Sequence, residues 1–73
     1  MAKRVRLTAF GRWLQAEGYG PERYQALADE LACTEGSIRH YAVGRAIPRP
    51  EMLRRLHART GLPLESFLFP FGG

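Results

Sequence analysis

Two short runs of helical hydrophobic spacing, separated by a break of two small residues, constrain this chain more than any other feature. In residues 27–48, LADELACTEGSIRHYAVGRAIP, Leu27, Ala28 and Leu31 share one helical face. After Ala32 and Cys33, Ile38 and Tyr41 recur at helical spacing again. Thr34 is placed to cap the second run through its hydroxyl, and Gly44 to close it in a left-handed conformation. Each helix has only about nine residues, too few to persist alone in water. Both must be held by the rest of the chain, and the second keeps a face free to meet something else.

The remainder of the sequence is consistent with one small domain. At 73 residues it lies near the lower limit of what folds without staples. A hydrophobic share of 45% is ordinary for a globular protein and too high for a disordered tail. The single cysteine, Cys33, excludes an internal disulfide and gives no argument for secretion. No apolar run approaches the roughly 20 residues needed to cross a bilayer. The basic opening residues lack the apolar stretch of a signal peptide. The expected setting is therefore cytoplasmic, in a bacterial or phage-infected cell, with no membrane partner.

Charge is unevenly placed. The net charge is +4. Residues 1–12 hold four bases (Lys3, Arg4, Arg6, Arg12) and no acid. Residues 34–60 hold six arginines (Arg39, Arg45, Arg49, Arg54, Arg55, Arg59) against Glu35 and Glu51. Between them, Arg23 faces Glu17, Glu22, Asp29 and Glu30. An arginine-rich surface around the second motif helix suits a polyanion, because a guanidinium binds phosphate or guanine through two parallel bonds. A merely solubilising surface is the competing account.

Along the chain, residues 1–6 read as a flexible basic arm. Leu7, Phe10 and Leu14 form the inner face of a first helix capped by Thr8, with Trp13 as a half-buried flank. Gly18 ends it, and Pro21 opens a second helix over about 22–32. The third covers about 35–43. Prolines at 48 and 50 forbid helix through 44–50, where Ile47 is expected to plug the loop into the core. Pro50 opens a fourth helix with Leu53 and Leu56 inward, stopped by Gly61, and a short fifth carries Leu64, Phe67 and Leu68. Arg55 and Arg59 read as a solvated face of the fourth helix, and residues 70–73 as a tail. The expected fold is all-α, with five short helices.

Residues 24–43 resemble the helix-turn-helix of the Cro and phage-repressor class, also called the xenobiotic-response-element type, and the resemblance extends over about 7–69. Ala28 matches the small residue that lets the two helices approach. Ile38 matches the β-branched lock, Tyr41 the aromatic, and Gly44 with Pro48 the exit. Ala32 departs from the family's turn glycine and Ala42 from its frequent acid, and the connection at 18–21 is slightly long. The resemblance implies a lambda-repressor-like helix-turn-helix domain whose third helix enters the DNA major groove.

On that alignment the base-facing residues would be Thr34, Glu35, Gly36, Arg39 and His40. Arg39 suits guanine O6 and N7. Glu35 suits a cytosine amine, or serves as an acid at a helix N-terminus. His40 suits a base, a phosphate or solvent alike. Tyr24, Gln25, Ser37, Arg45, Arg49 and Arg54 would contact phosphates, and Lys3, Arg4 and Arg6 would reach a groove or backbone, unless the arm is only a loose terminus. Phe69 and Phe71 would build a homodimer interface, or else fold back on their own helices.

No nucleophile–base pair or phosphate loop points to an enzyme, and Cys33, His40 and His57 lack the spacing of a zinc site. Neither cofactor, metal nor small-molecule ligand is expected. The expected function is a sequence-specific DNA-binding regulator, a Cro-like repressor binding a palindromic operator in double-stranded DNA as a dimer. The alternative is a helix-turn-helix protein-interaction module: an antitoxin, adaptor or anti-repressor.

Overall fold

The chain enters its first helix, α1 (Ala9–Ala16), through Thr8, whose hydroxyl accepts the Gly11 amide at 3.0 Å. This computed structural model describes residues 6–69 and 71. Among them it has five α-helices, one 3-10 turn and no strand, so the all-α expectation holds. The expected arm residues Lys3 and Arg4 lie outside the described residues, as does most of the 70–73 tail.

Each helix ends where local chemistry stops it. After α1, Gly18 turns to a φ of 78°, and the Tyr19 amide donates back to the Leu14 carbonyl at 2.8 Å. Residues 21–23, expected as the first turn of the second helix, instead form a 3-10 turn (Pro21–Arg23). The Arg23 amide closes on Gly20 at 2.9 Å, while its guanidinium lies 4.5 Å from the Tyr19 ring and donates to the Gly18 carbonyl at 3.2 Å. Those contacts hold Arg23 at a ψ of −4°, outside helical geometry, so α2 (Tyr24–Leu31) starts one residue later.

Helix α2 ends at Ala32, with φ 57° and ψ 43°, the one non-glycine residue at positive φ among the described residues. The Cys33 amide donates to Ala28 at 2.9 Å and the Ala32 amide to Asp29 at 3.3 Å, a Schellman motif built on an alanine. Helix α3 (Glu35–Val43) follows, with Thr34 accepting the Ser37 amide at 3.1 Å and Gly44 closing it at φ 79°. Helix α4 (Pro50–Thr60) ends at Gly61, and α5 (Glu65–Leu68) is a single turn.

The core takes Phe10 and Leu14 from α1, Leu27, Ala28 and Leu31 from α2, and Ile38 and Ala42 from α3. Leu53 and Leu56 from α4 and Phe67 from α5 complete it. Phe10 is central, 5.8 Å from Phe67 and 6.1 Å from Trp13, which in turn stacks on Tyr19 at 5.7 Å.

One expectation is overturned and another is incomplete. Ile47 is no plug: it is 57% exposed, and the buried residue of that loop is Pro48. Proline has no amide, so its burial leaves no donor unpaired. Arg55 and Arg59 are exposed on α4, as expected, but their guanidinium groups are engaged. Arg55 reaches across to the Leu31 carbonyl at 3.3 Å, while Arg59 donates to the Tyr19 hydroxyl at 2.8 Å and pairs with Glu30 at 3.5 Å. Their stems reach inward far enough to tie α4 to α2 and to the Trp13–Tyr19 stack.

Candidate nucleic-acid interface

Helix α3 is divided lengthwise. Ile38 and Ala42 are buried, four residues apart, with Tyr41 half-buried beside them. Gly36, Arg39 and His40 lie outward, and half-buried Glu35 and Val43 complete their strip, since positions 0, 1, 4, 5 and 8 of a helix share a face. Thr34, Gly36, Arg39 and His40 are exposed and Glu35 half-exposed. Four of the five residues expected to face bases thus share one strip, while Thr34 stands at its N-terminal end with its hydroxyl turned to the Ser37 amide.

Within that strip Glu35 and Arg39 are not independent. Arg39 Nε donates to Glu35 Oε1 at 2.9 Å, and Nη2 reaches the same oxygen at 2.7 Å. Glu35 also sits in the first turn of α3, where the helix dipole favours a carboxylate. Gly36 is bare without steric cause: a Cβ there would meet only Thr34 Oγ1, at 3.8 Å. The fold therefore does not require glycine at this position, which costs a helix about 1 kcal/mol relative to alanine.

Three further arginines, Arg45, Arg49 and Arg54, are exposed. Arg45 follows the Gly44 turn, its amide donating to His40 at 2.9 Å; Arg49 precedes α4; Arg54 is on α4. The six arginines of 34–60 divide evenly: Arg39, Arg55 and Arg59 pair with Glu35, Glu51 and Glu30, and no such pair engages the other three among the described residues. Two of these pairs, at i and i+4 on one helix, were open to sequence reading, whereas Glu30 and Arg59 are far apart in the chain.

Two open grooves flank α3. One, about 350 Å³, runs between α3 and the start of α4 and is bordered by Ser37, His40, Tyr41, Ile47 and Arg49. The other, about 360 Å³, runs toward the 3-10 turn and is bordered by Tyr24, Arg39, His40, Val43 and Arg45. Of the residues expected at phosphates, Tyr24, Ser37, Arg45 and Arg49 thus border the grooves. Gln25 instead donates to Asp29 at 2.9 Å, and Ser37 accepts from the Thr34 hydroxyl at 3.1 Å. Ile47 was missed as a surface residue, since an isolated isoleucine before a proline gives the same pattern whether it faces in or out.

Burial raises the Tyr41 hydroxyl pKa; nearby Cys33 adds to this, while Ser37 and Arg49 oppose it. Burial likewise raises the Cys33 thiol against the pull of Arg55, so Cys33 is a packed, protonated residue of the turn. Among the described residues no cluster of His, Cys, Asp or Glu could hold a metal ion. No helix among them is long and apolar enough to cross a membrane.

The aromatic tail divides. Phe69 is 58% exposed, beside Leu64 and Leu68 on the outside of α5. Phe71 lies against its own chain: a Cβ on Gly44 would fall 2.7 Å from its ring, and Arg6 sits 4.6 Å from the ring centre while donating to the Phe71 carbonyl at 3.2 Å. Arg6, expected to be free in the arm, is thereby engaged at the C-terminal end of α3. No protein-family model matches this chain, and neither curated proteins nor solved structures give a significant match.

Proposed function

We propose that this protein is a small DNA-binding regulator with a lambda-repressor-like helix-turn-helix, reading its site with α3. The observation that carries the reading is the outward strip of α3, where Arg39 and His40 stand exposed beside a bare Gly36, between exposed Arg45 and Arg49. The strip would meet base edges in the major groove, and the flanking arginines would neutralise phosphates. The short three-residue connection between α2 and α3, Ala32 to Thr34, and the similarity to the Cro class support the same assignment. In this proposal the protein acts in the cytoplasm as a homodimeric repressor, with α5 and Phe69 joining two copies so that two α3 helices reach successive turns of a palindromic site. Neither catalysis nor a cofactor enters it.

A second reading, a protein-interaction module, draws on the exposed Leu64, Leu68 and Phe69 and on the neutralisation of Arg39 by Glu35. Mobility shifts on the DNA upstream of the protein's own gene separate the two. Wild type is expected to form a discrete complex that resists competitor DNA and weakens steeply with salt, as counterions are released. Arg39→Ala is expected to keep only weak, salt-sensitive binding. If both proteins bind alike and without sequence preference, α3 does not read DNA and the interaction module takes its place.

A further inference from the structure

Glu35 engages Arg39 from one side only. Both contacts, from Nε at 2.9 Å and from Nη2 at 2.7 Å, fall on the single oxygen Oε1. A guanidinium carries five N–H donors in a rigid plane. The carboxylate occupies the Nε edge, using the Nε hydrogen and the near hydrogen of Nη2. The outer edge, formed by Nη1 and the far hydrogen of Nη2, has no hydrogen-bond partner among the described residues. That edge supplies the two parallel bonds that guanine O6 and N7 accept.

We propose that Glu35 is a specificity-determining positioning residue: it buttresses Arg39 side-on so that the outer guanidinium edge reads a guanine. This deepens the DNA-binding reading above and rests on it. A free arginine samples many rotamers and docks equally well on a phosphate, whereas one held by a carboxylate presents a fixed edge. The same carboxylate repels phosphates, so it also penalises docking where no guanine repays the approach. The bare Gly36 beside it leaves room for a base edge to come close to this turn of the helix.

The test is selection from randomised duplexes, followed by affinity measurements on the selected site and on its variants at the guanine. It uses wild type, Glu35→Gln, Arg39→Ala and the double variant, with helicity by circular dichroism as the folding control. Wild type is expected to enrich one guanine in each half-site, and Arg39→Ala to lose it. Glu35→Gln is expected to lower the preference for guanine about three- to tenfold, the range expected for releasing one long side chain. It should do so without weakening binding to random duplex, and have no further effect on base preference when added to Arg39→Ala. Glu35→Asp, which keeps the charge but withdraws the carboxylate, should show the same loss.

The inference is overturned if Glu35→Gln keeps the full guanine preference. It is equally overturned if its effect persists in the Arg39→Ala background, which would make Glu35 a reader in its own right. A wild type that enriches no sequence overturns the DNA reading itself, and this result appears before any Glu35 variant is compared.

Discussion

Ala32 holds a left-handed backbone at φ 57° that glycine adopts without penalty, and the Schellman bonds from Ala32 and Cys33 oblige it to do so. A Cβ in this region costs roughly 1–2 kcal/mol, and glycine gives back part of that through its freer unfolded chain. Ala32→Gly is therefore expected to stabilise the protein by about 0.5–1 kcal/mol. In a domain of this size that is a rise of several degrees in melting temperature, roughly 4–8 °C per kcal/mol, readable by calorimetry. An unchanged or lower melting temperature would mean that the alanine is relaxed in the turn. Thr8 shows how much one side chain can join: its hydroxyl caps α1 and also donates to the last carbonyls of α3, with Tyr41 at 2.9 Å and Ala42 at 3.1 Å.

At the scale of elements, the position of α3 depends on how closely α1 approaches its C-terminal end. The Thr8 amide donates to Ala42 at 3.0 Å, and one turn further on a Cβ at Gly11 would lie 2.5 Å from the same carbonyl oxygen. Helix propensity alone favours Gly11→Ala by about 1 kcal/mol. The contact predicts the opposite sign, because the carbonyl belongs to the backbone of a packed helix and cannot turn aside. Gly11→Ala is expected to destabilise by about 1–3 kcal/mol as α1 and α3 are forced apart. Urea unfolding measures it directly, and a stabilised variant would show that the two helices can separate at little cost.

For the whole molecule, most of the large exposed apolar side chains gather around α5, with Ile47 the exception, beside Arg49 in a groove along α3. Arg45 and Arg49 border the grooves along α3, while Leu64, Leu68 and Phe69 stand exposed around α5. The proposed dimer makes a prediction that separates the two tail aromatics. Phe69→Asp is expected to convert a dimer to a monomer in sedimentation at micromolar concentration, with little change in helicity. Phe71→Asp is expected instead to lower the melting temperature, since it strips the ring from Gly44 and from Arg6. A wild type that sediments as a monomer, or a Phe69→Asp variant of unchanged mass, places any interface elsewhere.

Local chemistry made much of this protein legible from its sequence. The bounds of α3, its Thr34 and Gly44 ends, the Thr8 cap, the Pro50 start and Gly61 stop of α4, and the inward Phe10, Leu14, Leu27, Ile38 and Leu56 all follow from caps, breakers and a 3.6-residue period. The outward strip of α3 follows only in part: the period marks Ile38 and Tyr41 as inward, whereas the burial of Ala42 came from its packing against α1. Interactions between distant parts of the chain could not be read that way. Whether Ile47 or Pro48 turned inward, whether Arg59 met solvent or Tyr19 and Glu30, and whether Phe71 returned to Gly44 depended on packing. The physical reason is range: capping and periodicity act within about one helical turn, whereas burial and pairing depend on which surfaces the packed helices bring together.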